Sequence, residues 1–146
     1  METKNKTAQS VYPAVRYTDA RAAIDWLKNV LGFQERVTYG DDAGGVVHAE
    51  LSLNGNLIML GSSKPDAYGK SPKELGGLTG TIYIALDSPS DVDALCARAK
   101  RAGAAILSDI HDTDYGSHDF TLRDPEGHVW SFGTYAPQAN EAPEHG

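Results

Sequence analysis

The chain contains an internal repeat. The segment LNGNLIMLG (53–61) aligns with the stretch that ends in EGHVWSFG (126–133), with Gly55 on Gly127. Asn56 then falls on His128, Leu57 on Val129, Ile58 on Trp130, Met59 on Ser131, Leu60 on Phe132 and Gly61 on Gly133. A strand-like run precedes each turn, HAELSL (48–53) in one copy and HDFTLR (118–123) in the other. The copies also open alike, with VYPAVRY (11–17) and GTIYIAL (80–86), runs of the kind that form strands. Self-similarity over this distance means that the fold is built twice from one supersecondary unit.

Helix signals follow each opening strand. In the first copy Thr18 or Asp19 can cap a helix whose apolar positions Ala23, Trp26, Leu27, Val30 and Leu31 recur at helical spacing, and Gly32 stands where a terminating glycine belongs. In the second, Ser90 with Asp93 resembles a capping box; Val92, Leu95, Cys96 and Ala99 make the apolar stripe, and Gly103 ends the helix. Further strands are expected at 33–39 and 104–110. Each copy therefore reads β-α-β-β-β. A unit of about 55 residues holds too little core to stand alone, so two must pair, within the chain or across a dimer. The expected class is α+β, with two βαβββ modules forming curved mixed sheets. A single domain over residues 10–136 would comprise a module at 10–61, a linker at 62–78 rich in Gly, Pro and Ser, and a module at 79–136, with flexible tails at 1–9 and 137–146.

Strand alternation assigns the faces. Ile58 and Leu60, Trp130 and Phe132, Ile82 and Ile84, and Val15 and Tyr17 form the bulky sets that must cover the helices. Tyr12, Met59, Thr81, Tyr83 and Ser131 are left on the opposite, concave side. A curved sheet with such a mixed face suits a small-molecule pocket.

Composition narrows the function classes. The net charge of −7 argues against a nucleic-acid partner, which needs clustered Lys and Arg. No apolar run reaches the length of a membrane span, and the polar start METKNKTAQS does not look like a signal peptide. The single cysteine, Cys96, excludes an intramolecular disulfide and fits a reducing cytoplasm. No phosphate loop, dinucleotide fingerprint or Ser-His-Asp order is present.

The paired units, the run from Asp19 to Phe33 (D-x-x-x-A-x-x-W-x-x-x-V-L-G-F) and the turn-strand DPEGHVWSF (124–132) resemble the vicinal oxygen chelate superfamily. That group includes glyoxalase I, extradiol dioxygenases, fosfomycin-resistance enzymes and bleomycin-resistance proteins; the likeness is nearest to its PhnB-like and bleomycin-resistance-like branch. The resemblance implies four metal-ligand positions, one on the first and one on the last strand of each unit. Here they fall on Tyr12, Met59, Thr81 and Ser131. A thioether, two hydroxyls and a phenol are not a donor set for a divalent ion. The resemblance thus implies a homodimer that binds a small organic molecule, aromatic or antibiotic-like, with no metal cofactor.

Other polar residues complete the candidate site. His48 and Glu50, two apart on one strand, could share the concave face. Arg16 could meet an anionic ligand, and Tyr83 and Tyr115 could stack on one. His118 belongs to the Asp- and His-rich segment SDIHDTDYGSHD (108–119), read as a polar hairpin over the pocket mouth. The alternative function is a metal-dependent lyase or dioxygenase with a displaced site built from His48, Glu50, His111 or His118. A third is metal-free acid–base catalysis by Glu50 or Asp119.

Overall fold

The computed structural model describes residues 9–142, so the outermost parts of both expected tails, residues 1–8 and 143–146, lie outside the described residues. The chain divides into two compact units, one up to Glu74 and one from Leu75.

In the first unit, β1 (Ala14–Tyr17), α1 (Ala20–Leu31), β2 (Gln34–Gly40), β3 (Val46–Leu53) and β4 (Asn56–Ser62) follow in order. They form a four-stranded sheet in the order β1-β4-β3-β2. The β1–β4 pair is parallel and the other two pairs are antiparallel. Asp19 caps α1 by accepting a hydrogen bond from the Ala22 amide, and Gly32 ends it at φ 81°, the left-handed conformation that glycine adopts without strain. Ala20, Ala23, Ile24, Leu27, Val30 and Leu31 form the buried stripe of α1. Tyr17, Ala49, Leu51, Ile58 and Leu60 of the sheet are buried as well. Trp26, expected in this stripe, is only half-buried.

The segment 62–78 is more than a linker. It includes a short helix, α2 (Pro72–Leu75), and its Ser71 is fully buried, with Oγ 2.9 Å from Thr18 Oγ1. Gln9, expected in the loose tail, is tied to the start of β4. Its Nε2 donates to Leu57 O at 2.8 Å and its Oε1 accepts from Leu57 N at 2.6 Å.

The second unit repeats the plan with β5 (Ile82–Ala85), α3 (Pro89–Arg101), β6 (Ala105–Asp112), β7 (His118–Arg123) and β8 (Val129–Gly133) in the order β5-β8-β7-β6. Ser88, not Ser90, caps α3; Pro89 follows at the first helical position, where its fixed φ and missing N–H cost nothing. Val92, Cys96 and Ala99 are buried on the helix, and Phe120, Leu122, Trp130 and Phe132 in the sheet. Phe120 and Phe132 stack with ring centroids 5.2 Å apart.

The turn before β8 is organised by one carboxylate. Asp124 is 3% exposed, and its Oδ1 accepts from the amides of Glu126 and His128, both at 3.0 Å. Its Oδ2 accepts from Trp130 Nε1 at 3.0 Å. The DPEGHVW motif therefore couples a turn to the largest core side chain. Taken together, the two units are the α+β pair of βαβββ modules expected from the repeat.

Candidate functional site

Strand register defines the open face of the first sheet. Ala14 lies across from Met59, Arg16 across from Gly61, Glu50 across from Met59, and Tyr39 across from His48. Arg16, His48, Glu50 and Met59 therefore share the side away from the buried stripe of α1. A pocket of ≈ 190 Å³ opens there, with Arg16, Val47, His48, Met59, Gly61 and Tyr68 in its wall. The Arg16 guanidinium lies 5.6 Å from the centroid of the Tyr68 ring and pairs with Asp66 at 3.2 Å. Neither Tyr68 nor Asp66 was singled out in the sequence, because Gly, Pro and Lys around them read as a linker. The aromatic-plus-acid pair two residues apart was the available signal.

Glu50 is fully engaged. Arg36 Nη1 stands 2.6 Å from Oε1 and His48 Nε2 stands 2.9 Å from Oε2. The hydrogen bond from His48, with the charge of Arg36, holds its carboxyl below the usual range. The His48 ring stacks on Tyr39 at a centroid distance of 6.3 Å. A carboxylate stabilised in this way is a weak base, so the geometry offers Glu50 to a structural pair rather than to proton abstraction.

In the second sheet Tyr83 lies across from Ser131 and Ser131 across from Thr121. Ser131 Oγ is 2.8 Å from Thr121 Oγ1. Tyr83 Oη donates to Tyr135 O at 2.8 Å, and burial raises its pKa, so it remains a phenol that donates. The rings of Tyr115 and Tyr135 meet edge to face at 5.2 Å. Asp119, Ser117 and Gly133 join this side of the sheet; of these only Ser117 had no role assigned from the sequence.

His118 lies on the other side. It is two residues from Phe120 on β7, and its Nε2 reaches Asp93 of α3 at 2.7 Å while Nδ1 reaches Asp112 of β6 at 2.6 Å. Alternation along β7 sends Asp119, not His118, to the open face. His111 sits across from Asp119 on β6, with Nδ1 2.8 Å from Asp109 O. Tyr12 and Thr81 precede the first residues of β1 and β5. Tyr12 Oη donates to Gln9 O at 2.9 Å.

The residues at the four metal-ligand positions do not fit a divalent ion. Tyr12 and Met59 in the first unit, and Thr81 and Ser131 in the second, bring no imidazole, carboxylate or amide. Among the described residues no group of three or more His, Cys, Asp or Glu is arranged to hold a metal ion. His48 and Glu50 belong to the first unit, whereas His111 and His118 belong to the second and face opposite ways.

Two mixed sheets of order 1-4-3-2, each with a parallel outer pair and one helix, define a protein of the glyoxalase type. The family model of the Glyoxalase/Bleomycin resistance protein/Dioxygenase superfamily matches residues 9–132, and the chain belongs to that superfamily. An uncharacterised protein of Mycobacterium tuberculosis is 32% identical over 131 residues, covering 88% of this chain and 75% of that protein. Among solved structures, TioX from Micromonospora sp. ML1 is similar with a TM-score of 0.68 and 27% identity, over 90% of this chain and 100% of that one. The fosfomycin resistance protein FosX from Listeria monocytogenes, solved with Mn(II) and a dihydroxypropylphosphonic acid, shares the fold alone. Its TM-score is 0.63 at 15% identity, over 89% of this chain and 94% of that one. Among the described residues no helix is long and apolar enough to cross a membrane.

Proposed function

We propose that this protein binds a small organic molecule without a metal ion, acting as a cytoplasmic homodimer that sequesters its ligand. The observation that carries this reading is the open face of the first sheet. Its pocket of ≈ 190 Å³ is walled by the thioether of Met59, the ring of Tyr68, the guanidinium of Arg16 and the imidazole of His48. Such a wall gives apolar and π contact with few polar anchors, the usual make-up of a site for a flat organic ligand. The second sheet has an open face of its own, lined by hydroxyls from Tyr83 and Ser131.

The test has three arms. Protein purified without chelator is analysed for metals, and a library of small aromatic compounds is screened by thermal shift against wild type and Arg16→Ala. We expect substoichiometric metal and hits whose shift falls in the variant. A stoichiometric divalent ion, lost in His48→Ala or His118→Ala, would overturn the metal-free reading in favour of a metal-dependent lyase or dioxygenase. A dimer mass by light scattering supports the homodimer, and a monomer mass at working concentration overturns it.

A further inference from the structure

The open face of the second sheet holds a carboxylate with no opposite charge paired to it. Asp119 is 9% exposed, and its Oδ1 accepts a hydrogen bond from Ser117 Oγ. No ion pair to Asp119 forms among the described residues. That one hydrogen bond leaves most of the carboxylate's acceptor capacity unused.

The backbone is shaped to bring that carboxylate forward. A Cβ on Gly133 would stand 1.9 Å from Asp119 Oδ1 and 2.7 Å from Tyr83 Oη. Glycine at this position lets the acid and the phenol converge over β8. Ser117 Oγ is the hub of the arrangement, since it also accepts from the Tyr135 amide at 3.0 Å. Three partly exposed tyrosines are linked to this arrangement: Tyr83 through its approach to Gly133, Tyr135 through its amide bond to Ser117, and Tyr115 through its ring contact with Tyr135.

These features select one ligand chemistry. An organic ammonium group would neutralise the buried charge and meet the electron-rich faces of the rings, whose quadrupoles attract cations. An anion would be repelled by Asp119 and by a chain of net charge −7. A bare divalent cation would find one carboxylate among hydroxyls, too few strong oxygen ligands for a stable site. We propose that Asp119 and the rings of Tyr83, Tyr115 and Tyr135 form a recognition site for an organic ammonium group on the open face of the second sheet. This inference rests on the small-molecule reading above and adds a cation-selective face on the second sheet.

The test compares three probes of one shape, benzylammonium, benzyl alcohol and benzoate, by calorimetric titration and by amide NMR shifts. Benzylammonium is expected to bind about tenfold or more tighter than benzyl alcohol, with benzoate weakest. Its shifts should centre on residues 117–121 and 131–135, and its affinity should fall as salt is added. Asp119→Asn, isosteric and checked for folding by circular dichroism, should abolish the preference. Tyr115→Ala, an exposed position that leaves the core intact, should weaken benzylammonium more than benzyl alcohol. Equal binding of ammonium and alcohol would overturn the proposal while leaving metal-free binding of a neutral ligand in place. No binding by any probe would overturn it as well, and the library screen then judges the broader reading separately. A preference that survives in Asp119→Asn also overturns it. So does an unchanged preference with a shift from dimer to monomer, which would assign the carboxylate to a contact between copies.

Discussion

The imidazole of His118 is held by Asp93, with Nε2 2.7 Å from the carboxylate Oδ1, so a strand of the second sheet is pinned to the helix that covers it. Asp112 holds the other ring nitrogen at 2.6 Å. Both nitrogens then donate, which requires the charged ring, and the hydrogen bond to Asp93, followed by that to Asp112, raises the pKa above its ordinary 6.5. The folded state therefore binds its proton more tightly than the unfolded chain does. Its contribution to stability is complete below the unfolded pKa and is lost as pH rises through the raised folded value. Denaturant unfolding of wild type and His118→Gln across pH 5 to 9 should show the largest difference at the acid end, narrowing as the pH passes the folded pKa. A difference that is constant with pH would mean that the ring acts by packing alone.

Asp124 and Trp130 provide a second test, of stability. Replacing Asp124 by Ala leaves the Trp130 N–H without its acceptor inside the core and removes the bonds that close the turn at Glu126 and His128. The expected loss is about 3 kcal/mol. Asp124→Asn keeps the shape and one acceptor oxygen, so its cost should be smaller by roughly half. Urea melts monitored by Trp fluorescence measure both.

Much of the fold was legible because the repeat and the alternation report the same physical fact, burial of one face of each sheet. Ile58, Leu60, Trp130 and Phe132 lie in the core where alternation put them. His118 shows the limit of that logic. It shares its side with Phe120, yet it was read as a pocket residue because a His among Asp and Gly suggests a polar loop. Its partner Asp93 is 25 positions away, and no local pattern reports such a pairing. The same holds for Arg16 and Asp66, 50 positions apart, and for Tyr83 and Tyr135, 52 apart. Gly133 is a repeat position and Asp119 a candidate base in the sequence, yet their convergence is not legible there, because the need for a glycine comes from a side chain on the neighbouring strand.

Gly133→Ala follows directly from that convergence. The new methyl would have to displace the Asp119 carboxylate and the Tyr83 phenol, at a cost of about 1–3 kcal/mol. Gly77→Ala, where an added Cβ meets nothing within 4 Å, should stay within about 0.5 kcal/mol of wild type. If the ammonium site is correct, Gly133→Ala also loses preference for benzylammonium out of proportion to its loss of stability. Thermal melts and calorimetry on the two variants separate these effects.

The strap between β4 and α2 supplies the last test. Asp66 is fastened from two sides, by the Tyr68 amide at 3.0 Å and by Arg16 at 3.2 Å. The amide bond, reinforced by the guanidinium, holds the carboxyl below the ordinary range of an aspartate. With a depressed folded pKa, the fastening is fully present above the unfolded value of about 3.9 and fails as pH falls through the folded one. At neutral pH the strap is latched, and Asp66→Asn should release it without disturbing the core. Limited proteolysis should then cut faster between Ser63 and Lys70, while the midpoint of global unfolding moves little, as expected for an exposed ion pair. An aromatic ligand seated against Arg16 and Tyr68 should slow that cleavage in wild type more than in Asp66→Asn. Equal cleavage of the two free proteins would show that Ser71 and the backbone bond from Ser63 to Tyr17 O already hold the strap, and that the ion pair adds nothing to its closure.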